Sequence, residues 1–232
     1  MFWVQRAALL VAFCSFVSLF GVKIGGALHL VTAILVSIPG LWLAFTEFRC
    51  QAGMAGKYSP GANDNASGVA VLLVAGELLI KQGESAKVGW IYTSAEETGL
   101  HGAIKAAQWI KENAPDASVI SLDMVGCGSD LRVAVKDGTI FPVYPDKNLI
   151  NFVKKTLPGV RDLWYTLRSG DFAMFVRQGI SATGLQLLGG KDAHLKYHGI
   201  DDLPDGVEPE ALERMVWSVL SLVQAKKRDF GK

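Results

Sequence analysis

The sequence is poor in cysteine and in net charge. Its three cysteines, Cys14, Cys50 and Cys127, form no close pair and are odd in number, which argues against a disulfide framework and for free thiols. Lysine and arginine number 23 against 22 acidic residues, so the net charge of +1 creates no field that would attract a polyanion. We therefore expect no nucleic-acid partner, and nothing in the sequence indicates an oligomeric state.

Apolar residues are concentrated at the N-terminus. Residues 7–21 are apolar apart from two serines, and a second apolar run follows over residues 24–45. The second run is long enough for a bilayer core of about 20 residues, and the first reaches that length with residues 2–4. The sequence predicts a membrane-embedded hairpin over residues 1–50 and one globular domain over residues 51–232. The alternative for the first run is a secretory signal peptide.

The positions of the basic residues indicate on which side of the membrane the hairpin ends lie. Arg6, Arg49 and Lys57 lie outside the predicted hairpin, whereas Lys23 lies in its turn. Because basic residues are enriched on the cytoplasmic side, this pattern favours both hairpin ends there. We expect an integral membrane protein in contact with the bilayer, with its globular domain on the cytoplasmic face.

Beyond residue 58, helical and strand-like patterns alternate, which is typical of an α/β domain. We predict a mixed sheet flanked by helices on both faces, with acidic side chains at the carboxyl ends of strands. The predicted helices cover residues 65–80, 103–113, 148–156, 171–178 and 209–226. The predicted strands cover residues 88–93, 117–123, 162–166 and 183–188, together with a hairpin of residues 131–135 and 139–143.

Four short groups of residues carry the candidate chemistry. They are Gly-Ala-Asn-Asp-Asn-Ala-Ser-Gly at 61–68, Ser-Ala-Glu-Glu-Thr-Gly at 94–99, Ser-Leu-Asp-Met-Val-Gly at 121–126, and Tyr197-His198 with Asp201 and Asp202. Taken singly, Asp64 could be a helix cap and Glu96 and Glu97 a solvated pair in a first helical turn. Taken together, their carboxylates and imidazole are zinc ligands, and one unligated carboxylate could accept a proton from water.

In this order, the four groups resemble the co-catalytic zinc aminopeptidases and their relatives, which include glutamate carboxypeptidases and glutaminyl cyclases. The resemblance covers residues 59–223 and implies a zinc exopeptidase fold. It implies that Asp64 bridges two zinc ions, Glu97 and His198 complete the first site, Asp123 belongs to the second, and Glu96 is the general base. It also implies supporting or substrate-contacting positions, which fall at Asp171, Tyr197 and Asp202.

One family feature is missing from the sequence. A His-x-Asp motif on a strand precedes the Asp64 group in the family and supplies a histidine to the second zinc, but residues 1–57 contain only His29. The second site therefore lacks one ligand. We expect the chain to be the C-terminal portion of a longer protein; the alternative is a complete protein with a weakened site. His101 is expected beside the other zinc, and His194 near the substrate entrance.

The resemblance implies a membrane-anchored exopeptidase, an aminopeptidase that hydrolyses N-terminal residues from peptides with metal-activated water. Two alternatives share the fold. One is a catalytically silent binding or scaffold domain, and the other is a carboxypeptidase or glutaminyl cyclase type of enzyme. The metal content distinguishes the silent domain from the enzymes, whereas the substrate distinguishes the enzymes from one another.

Overall fold

The computed structural model describes residues 58–84, 87–139, 141–166, 169–189 and 197–230. The predicted membrane hairpin over residues 1–50 lies outside these ranges. One compact unit, formed by Ser59–Glu96 and Leu100–Lys232, contains every helix and strand named below.

The helices agree closely with the sequence prediction. They are α1 (Ser67–Lys81), α2 (His101–Asn113), α3 (Lys147–Thr156), α4 (Phe172–Arg177) and α5 (Pro209–Phe230). A kinked segment, Ala62–Ala66, with non-helical backbone angles at Asp64 and Asn65, leads into α1. The start of α3 shows how local chemistry sets a boundary. The Asp146 carboxylate accepts a hydrogen bond from the Asn148 N–H (2.8 Å) and so satisfies a donor that has no partner within the helix.

The described strands form one mixed sheet, as predicted. They are β1 (Ser118–Leu122), β2 (Asp130–Asp137), β3 (Arg161–Tyr165) and β4 (Ser181–Leu188), in the spatial order β1-β4-β2-β3. β1 runs parallel to β4, and β2 runs parallel to β3, whereas β2 and β4 are antiparallel. β1 and β4 therefore end at the same edge of the sheet, where functional side chains of α/β proteins gather.

Helices cover both faces of the sheet, which confirms the predicted layering. On one face, α1, α3 and α5 contribute to a core that includes Val71, Val153, Leu185 and Met215. On the other face, α2 and α4 contribute to a second core around Phe172. Burial of these apolar side chains on both faces is the main stabilising contribution to the domain.

The predicted hairpin around Gly138 is wrong. Of the described residues in the segment 139–143, Val143 makes an isolated antiparallel bridge with Asp137, and none belongs to a strand. The ladders of β2 are formed with β3, from Arg132 to Asp137, and with β4, from Asp130 to Val133. In addition, Pro142 lacks the N–H that a ladder requires. Non-local pairing with β3 and β4 therefore replaces the local hairpin.

The predicted strand over residues 88–93 is also wrong for the described part of the chain. The segment is not helical, but no described strand pairs with it. It is rich in the β-branched and aromatic residues typical of strands, and Trp90 packs against Gly76 of α1. A strand needs a hydrogen-bonded neighbour as well as a suitable pattern, and the pattern alone misled the prediction.

Among the described residues, one helical stretch, Ala62–Lys81, is long and apolar enough to cross a membrane. Core helices of soluble domains pass the same test, and Val71, Ala75 and Leu79 of this helix are buried in the protein core. Its buried apolar residues pack against the sheet and α5, whereas Val69, Leu73, Val74 and Ile80 are exposed. It is not one of the spans predicted within residues 1–50.

Candidate metal centre

The Asp64 loop is locked to the end of β1 by asparagine and serine side chains. The Asn65 side chain donates to the carbonyl oxygen of Leu122 (2.8 Å) and accepts hydrogen bonds from the N–H groups of Gly68 (3.1 Å) and Met124 (3.3 Å). The peptide bond between Asp64 and Asn65 is cis. These bonds hold the start of α1 beside the loop that follows β1.

Asn63 and Ser67 add a second set of bonds between the same loops. Oδ1 of Asn63 accepts from the Gly126 N–H (2.8 Å), and Oγ of Ser67 accepts from the Val125 N–H (3.1 Å). A Cβ atom on Gly126 would lie 2.8 Å from the Cβ of Ser67, so only glycine allows this approach. The two carboxylate-bearing loops, with Asp64 and Asp123, are thereby held together.

Three of the predicted ligands converge. One ligand atom from each of Asp64, Glu97 and His198 lies within 4.8 Å of the others. Nε2 of His198 is 3.3 Å from Oδ2 of Asp64. Asp64 and His198 are partly buried, whereas Glu97 is exposed, so the group opens to solvent. Two carboxylates and one imidazole at this spacing can share a divalent cation.

Asp202 connects the histidine loop to the Asp64 loop. Its carboxylate accepts hydrogen bonds from the N–H groups of Asn63 (2.8 Å) and Asp64 (3.0 Å), and its carbonyl oxygen accepts from Ala62 (3.1 Å). The side chain is buried. Asp202 therefore acts on the backbone of the Asp64 loop, a more specific position than the sequence indicated. Tyr197 stacks on the ring of His198, with the ring centroids 3.7 Å apart.

The two adjacent glutamates lie in a loop that is folded back on the start of α2. The N–H groups of Leu100 and His101 donate to the carbonyl oxygens of Glu96 (2.8 Å) and Ala95 (3.2 Å). Gly102 has no Cβ, and a Cβ there would lie 2.4 Å from the carbonyl oxygen of Ser94. The backbone of this loop is therefore closely packed against α2.

Asp123, predicted as the last residue of a strand, directly follows β1 and is not part of the group of three. Its Oδ2 accepts a hydrogen bond from the hydroxyl of Tyr165 (3.4 Å). The Tyr165 ring meets Phe172 edge-on, with 5.5 Å between the centroids. His101 begins α2, is exposed and also lies outside the group of three. His194 is outside the described residues.

Asp171 stands at the N-cap position of α4, but its side chain makes no capping hydrogen bond. Its Oδ2 instead accepts from the Thr93 hydroxyl (2.5 Å), and its Oδ1 is buried without a partner. Burial raises the pKa of the Asp171 carboxyl, and the hydrogen bond from Thr93 opposes that shift. This pairing was not predicted, because no motif marks Thr93.

Asp137 is another polar residue whose structural role the sequence did not indicate. It is buried at the end of β2, and its carboxylate accepts from the Ser169 hydroxyl (2.8 Å) and the Gly170 N–H (3.0 Å). These bonds fix the chain immediately before Asp171. An acidic residue next to a glycine indicates a turn, and this signal led to the erroneous hairpin prediction instead.

With this geometry established, comparison with known proteins identifies the family. A model described as Peptidase family M28 matches residues 51–223, most of the chain. The chain belongs to peptidase family M28. Leucine aminopeptidase 1 of Ajellomyces capsulatus (strain G186AR) is similar to it, with 32% identity over 124 residues that cover 50% of this chain and 32% of the relative.

Solved structures of other proteins have a fold similar to that of this chain. An aminopeptidase from Aneurinibacillus sp. strain AM-1 is 26% identical with a TM-score of 0.52, and the match covers 71% of this chain and 39% of that one. BSAP, a zinc aminopeptidase from Bacillus subtilis, is 22% identical with a TM-score of 0.56, covering 73% of this chain and 43% of that one. In each of these comparisons the matched region spans less than half the length of the similar protein. The structural similarity confirms the predicted α/β fold, a mixed sheet flanked by helices, which these aminopeptidases share.

Proposed function

We propose that this M28 protein is a zinc-dependent exopeptidase that acts as an aminopeptidase. The observation that supports the proposal best is the convergence of Asp64, Glu97 and His198, which are far apart in the sequence. Family membership and the printed names of similar proteins, a leucine aminopeptidase and a zinc aminopeptidase, support the same activity.

The donor set suits zinc. Zinc binds carboxylate oxygen and imidazole nitrogen, and catalytic sites combine three protein ligands with one open position. Asp64, Glu97 and His198 supply three ligands, and the exposed position of Glu97 leaves the group accessible from solvent. When bound, zinc would supply a Lewis acid that polarises a carbonyl and lowers the pKa of water to about 7.

Glu96 is the proposed general base. It immediately precedes Glu97, and its carbonyl oxygen is fixed by the Leu100 N–H. In this proposal Glu97 binds the metal, while the Glu96 carboxylate accepts the proton of the attacking water and passes it to the leaving amine. Adjacent glutamates can divide these tasks, with one carboxylate on the metal and its neighbour on the water.

A second metal position is proposed between Asp64 and Asp123. The hydrogen bonds of Asn65 hold the loops of these two aspartates together, and this supports the proposal. Dinuclear hydrolase sites place their metals about 3.5–4 Å apart with a shared carboxylate. Asp64 is the proposed shared carboxylate, and His29 is the one histidine within residues 1–57, where the family's additional ligand would be expected.

Tyr197 is proposed to contact the substrate, and Asp202 to support the site. Tyr197 stacks on His198 and so stands next to the metal ligands. Asp202 stabilises the conformation of the Asp64 loop through two main-chain hydrogen bonds. The peptide would bind on the solvent-exposed side of the group, where Glu97 lies.

Membrane anchoring through residues 1–50, with the catalytic domain on the cytoplasmic side, is also a proposal. The two apolar runs and the placement of Arg6, Lys23 and Arg49 support it. Alkaline carbonate extraction of membranes tests the anchor, and retention in the pellet is the expected result. Release into the supernatant would contradict anchoring, and protease protection in sealed vesicles would test sidedness.

A substrate panel tests the activity. The purified full chain, loaded with zinc, should release amino acids from peptides and amino-acid amides with a free α-amino group, and should not act on N-acetylated versions. Release of C-terminal residues from blocked peptides would indicate a carboxypeptidase, and ammonia from N-terminal glutamine would indicate a cyclase. Zinc binding without turnover of any substrate would contradict the enzymatic proposal and support the silent domain.

A further inference from the structure

The contact between Thr93 and Asp171 joins two segments that are distant in the chain. Their hydrogen bond of 2.5 Å connects the extended segment before Glu96 with the start of α4. An aspartate at an N-cap position normally accepts an N–H of its own helix, and Asp171 does not. Its Oδ2 accepts a hydrogen bond from the Thr93 hydroxyl instead. The side chain of Asp171 therefore stabilises a contact with another segment and not the start of α4.

The Asp171 end of this contact is firmly held. The buried Asp137 carboxylate accepts bonds from the Ser169 hydroxyl and the Gly170 N–H, and this fixes the preceding residues to β2. The following residue, Phe172, is buried, and a Cβ on Gly184 of β4 would lie only 2.8 Å from its ring. Asp171 thus projects from a rigid part of the sheet domain.

The segment that contains Thr93 is not fixed by the described sheet. Within the described part of the chain, no β-ladder includes residues 88–95, and the Thr93 side chain lies on an exposed stretch. Close packing of Ser94 on Gly102 limits the distance between this loop and α2. The bond from Thr93 to Asp171 adds a fixed point on the other side, three positions before Glu96 in the sequence.

We propose that Asp171 is a positioning residue that, through the Thr93 hydroxyl, fixes the loop carrying Glu96 and Glu97. The inference rests on the proposed function for its catalytic consequence, but not for the contact itself. Residues outside the ligand set that orient a metal site commonly affect metal affinity or activity by about 10–100-fold. Small displacements of a base reduce the rate because proton transfer requires hydrogen-bond distance.

The test replaces the hydroxyl without changing the shape of the side chain. In the full chain, Thr93→Val should weaken zinc binding and lower kcat, each by about tenfold, with KM nearly unchanged. Thr93→Ser, which keeps a hydroxyl, should restore both. Thr156→Val at the end of α3 is the matched control and should change neither. Zinc affinity is measured by competition with a chromophoric chelator, and Tm is recorded for every variant.

A double-mutant cycle with Asp171→Ala checks that the pair acts as a unit. The double variant Thr93→Val/Asp171→Ala should be no worse than the poorer single variant in zinc affinity. Losses that simply add, or Thr93→Val with wild-type zinc affinity and kcat, would overturn the inference. A drop in Tm with unchanged kcat per zinc-loaded site would show a merely structural contact and would also overturn it.

The readouts separate this inference from the proposed function. If the wild-type chain binds zinc but cleaves no peptide, the proposed function fails, while a weakened zinc affinity in Thr93→Val still supports the positioning role. If the wild-type chain is active and Thr93→Val equals it in every readout, the positioning role alone fails.

Discussion

Nε2 of His198 lies 3.3 Å from Oδ2 of Asp64, although the two residues come from opposite halves of the chain. Their loops meet because Asp202, close to His198 in sequence, accepts hydrogen bonds from the main chain at Asp64. One buried carboxylate thereby sets the distance between two proposed metal ligands. The predictions below test the roles of the individual side chains at this junction.

Removing the imidazole of His198 should weaken zinc binding. We expect His198→Ala to weaken zinc binding by more than the roughly 100-fold typical of supporting residues, because it deletes a direct ligand. The measurement is a zinc competition titration at neutral pH. His101→Ala, at the exposed start of α2, is the control and should bind like the wild type. Equal losses in both variants would contradict the assignment of His198.

Glu96 and Glu97 should respond differently to the same substitution. Glu96→Gln should lower kcat by about 10²–10⁴-fold and leave zinc bound, because an amide cannot accept the proton. Glu97→Gln should weaken zinc binding instead, because it replaces an anionic ligand. Steady-state kinetics with parallel metal analysis distinguish the two. Retained turnover in Glu96→Gln would refute its role as general base.

Asp202 should matter for both stability and metal binding. Asp202→Asn places an amide NH2 opposite one of two main-chain N–H donors, so at least one charge-assisted bond is lost. We expect a loss of about 1.5–3 kcal/mol in the free energy of unfolding, measured by denaturant titration, and weaker zinc binding. The neighbouring substitution Asp201→Asn, at an exposed position, serves as the control. Indistinguishable curves for the two variants would contradict the account.

The raised pKa of Asp171 predicts a pH dependence of stability. Burial raises this pKa above its ordinary value of about 3.8, so between that value and the folded-state pKa the native protein binds more protons than the unfolded chain. Over this window the contribution of Asp171 to stability falls as the pH rises. Asp171→Asn removes that loss, so its Tm relative to the wild type should increase from pH 4 towards neutrality. A difference that decreases with pH would contradict the burial effect.

The sequence predicted the elements whose signals are local. The helical periodicity of α1 and α3, and the order of the groups around Asp64, Glu97 and His198, were sufficient to predict the layers and the converging residues. Two predictions were wrong in segments where pairing between distant parts of the chain determines the strands. β2 forms its ladders with β3 and β4, and Val143 makes just an isolated bridge to its last residue; no described strand pairs with residues 88–93. The Thr93–Asp171 bond also joins segments with no mutual sequence signal.

Zinc X-ray absorption spectroscopy of the loaded full chain tests the proposed metal centre, because it reports the ligands of the metal itself. Coordination by Asp64, Glu97 and His198 predicts oxygen and nitrogen ligands at about 2.0–2.2 Å, with the multiple scattering of an imidazole that disappears in His198→Ala. An unchanged imidazole signal in that variant, or sulfur at about 2.3 Å, would show that other residues bind the metal.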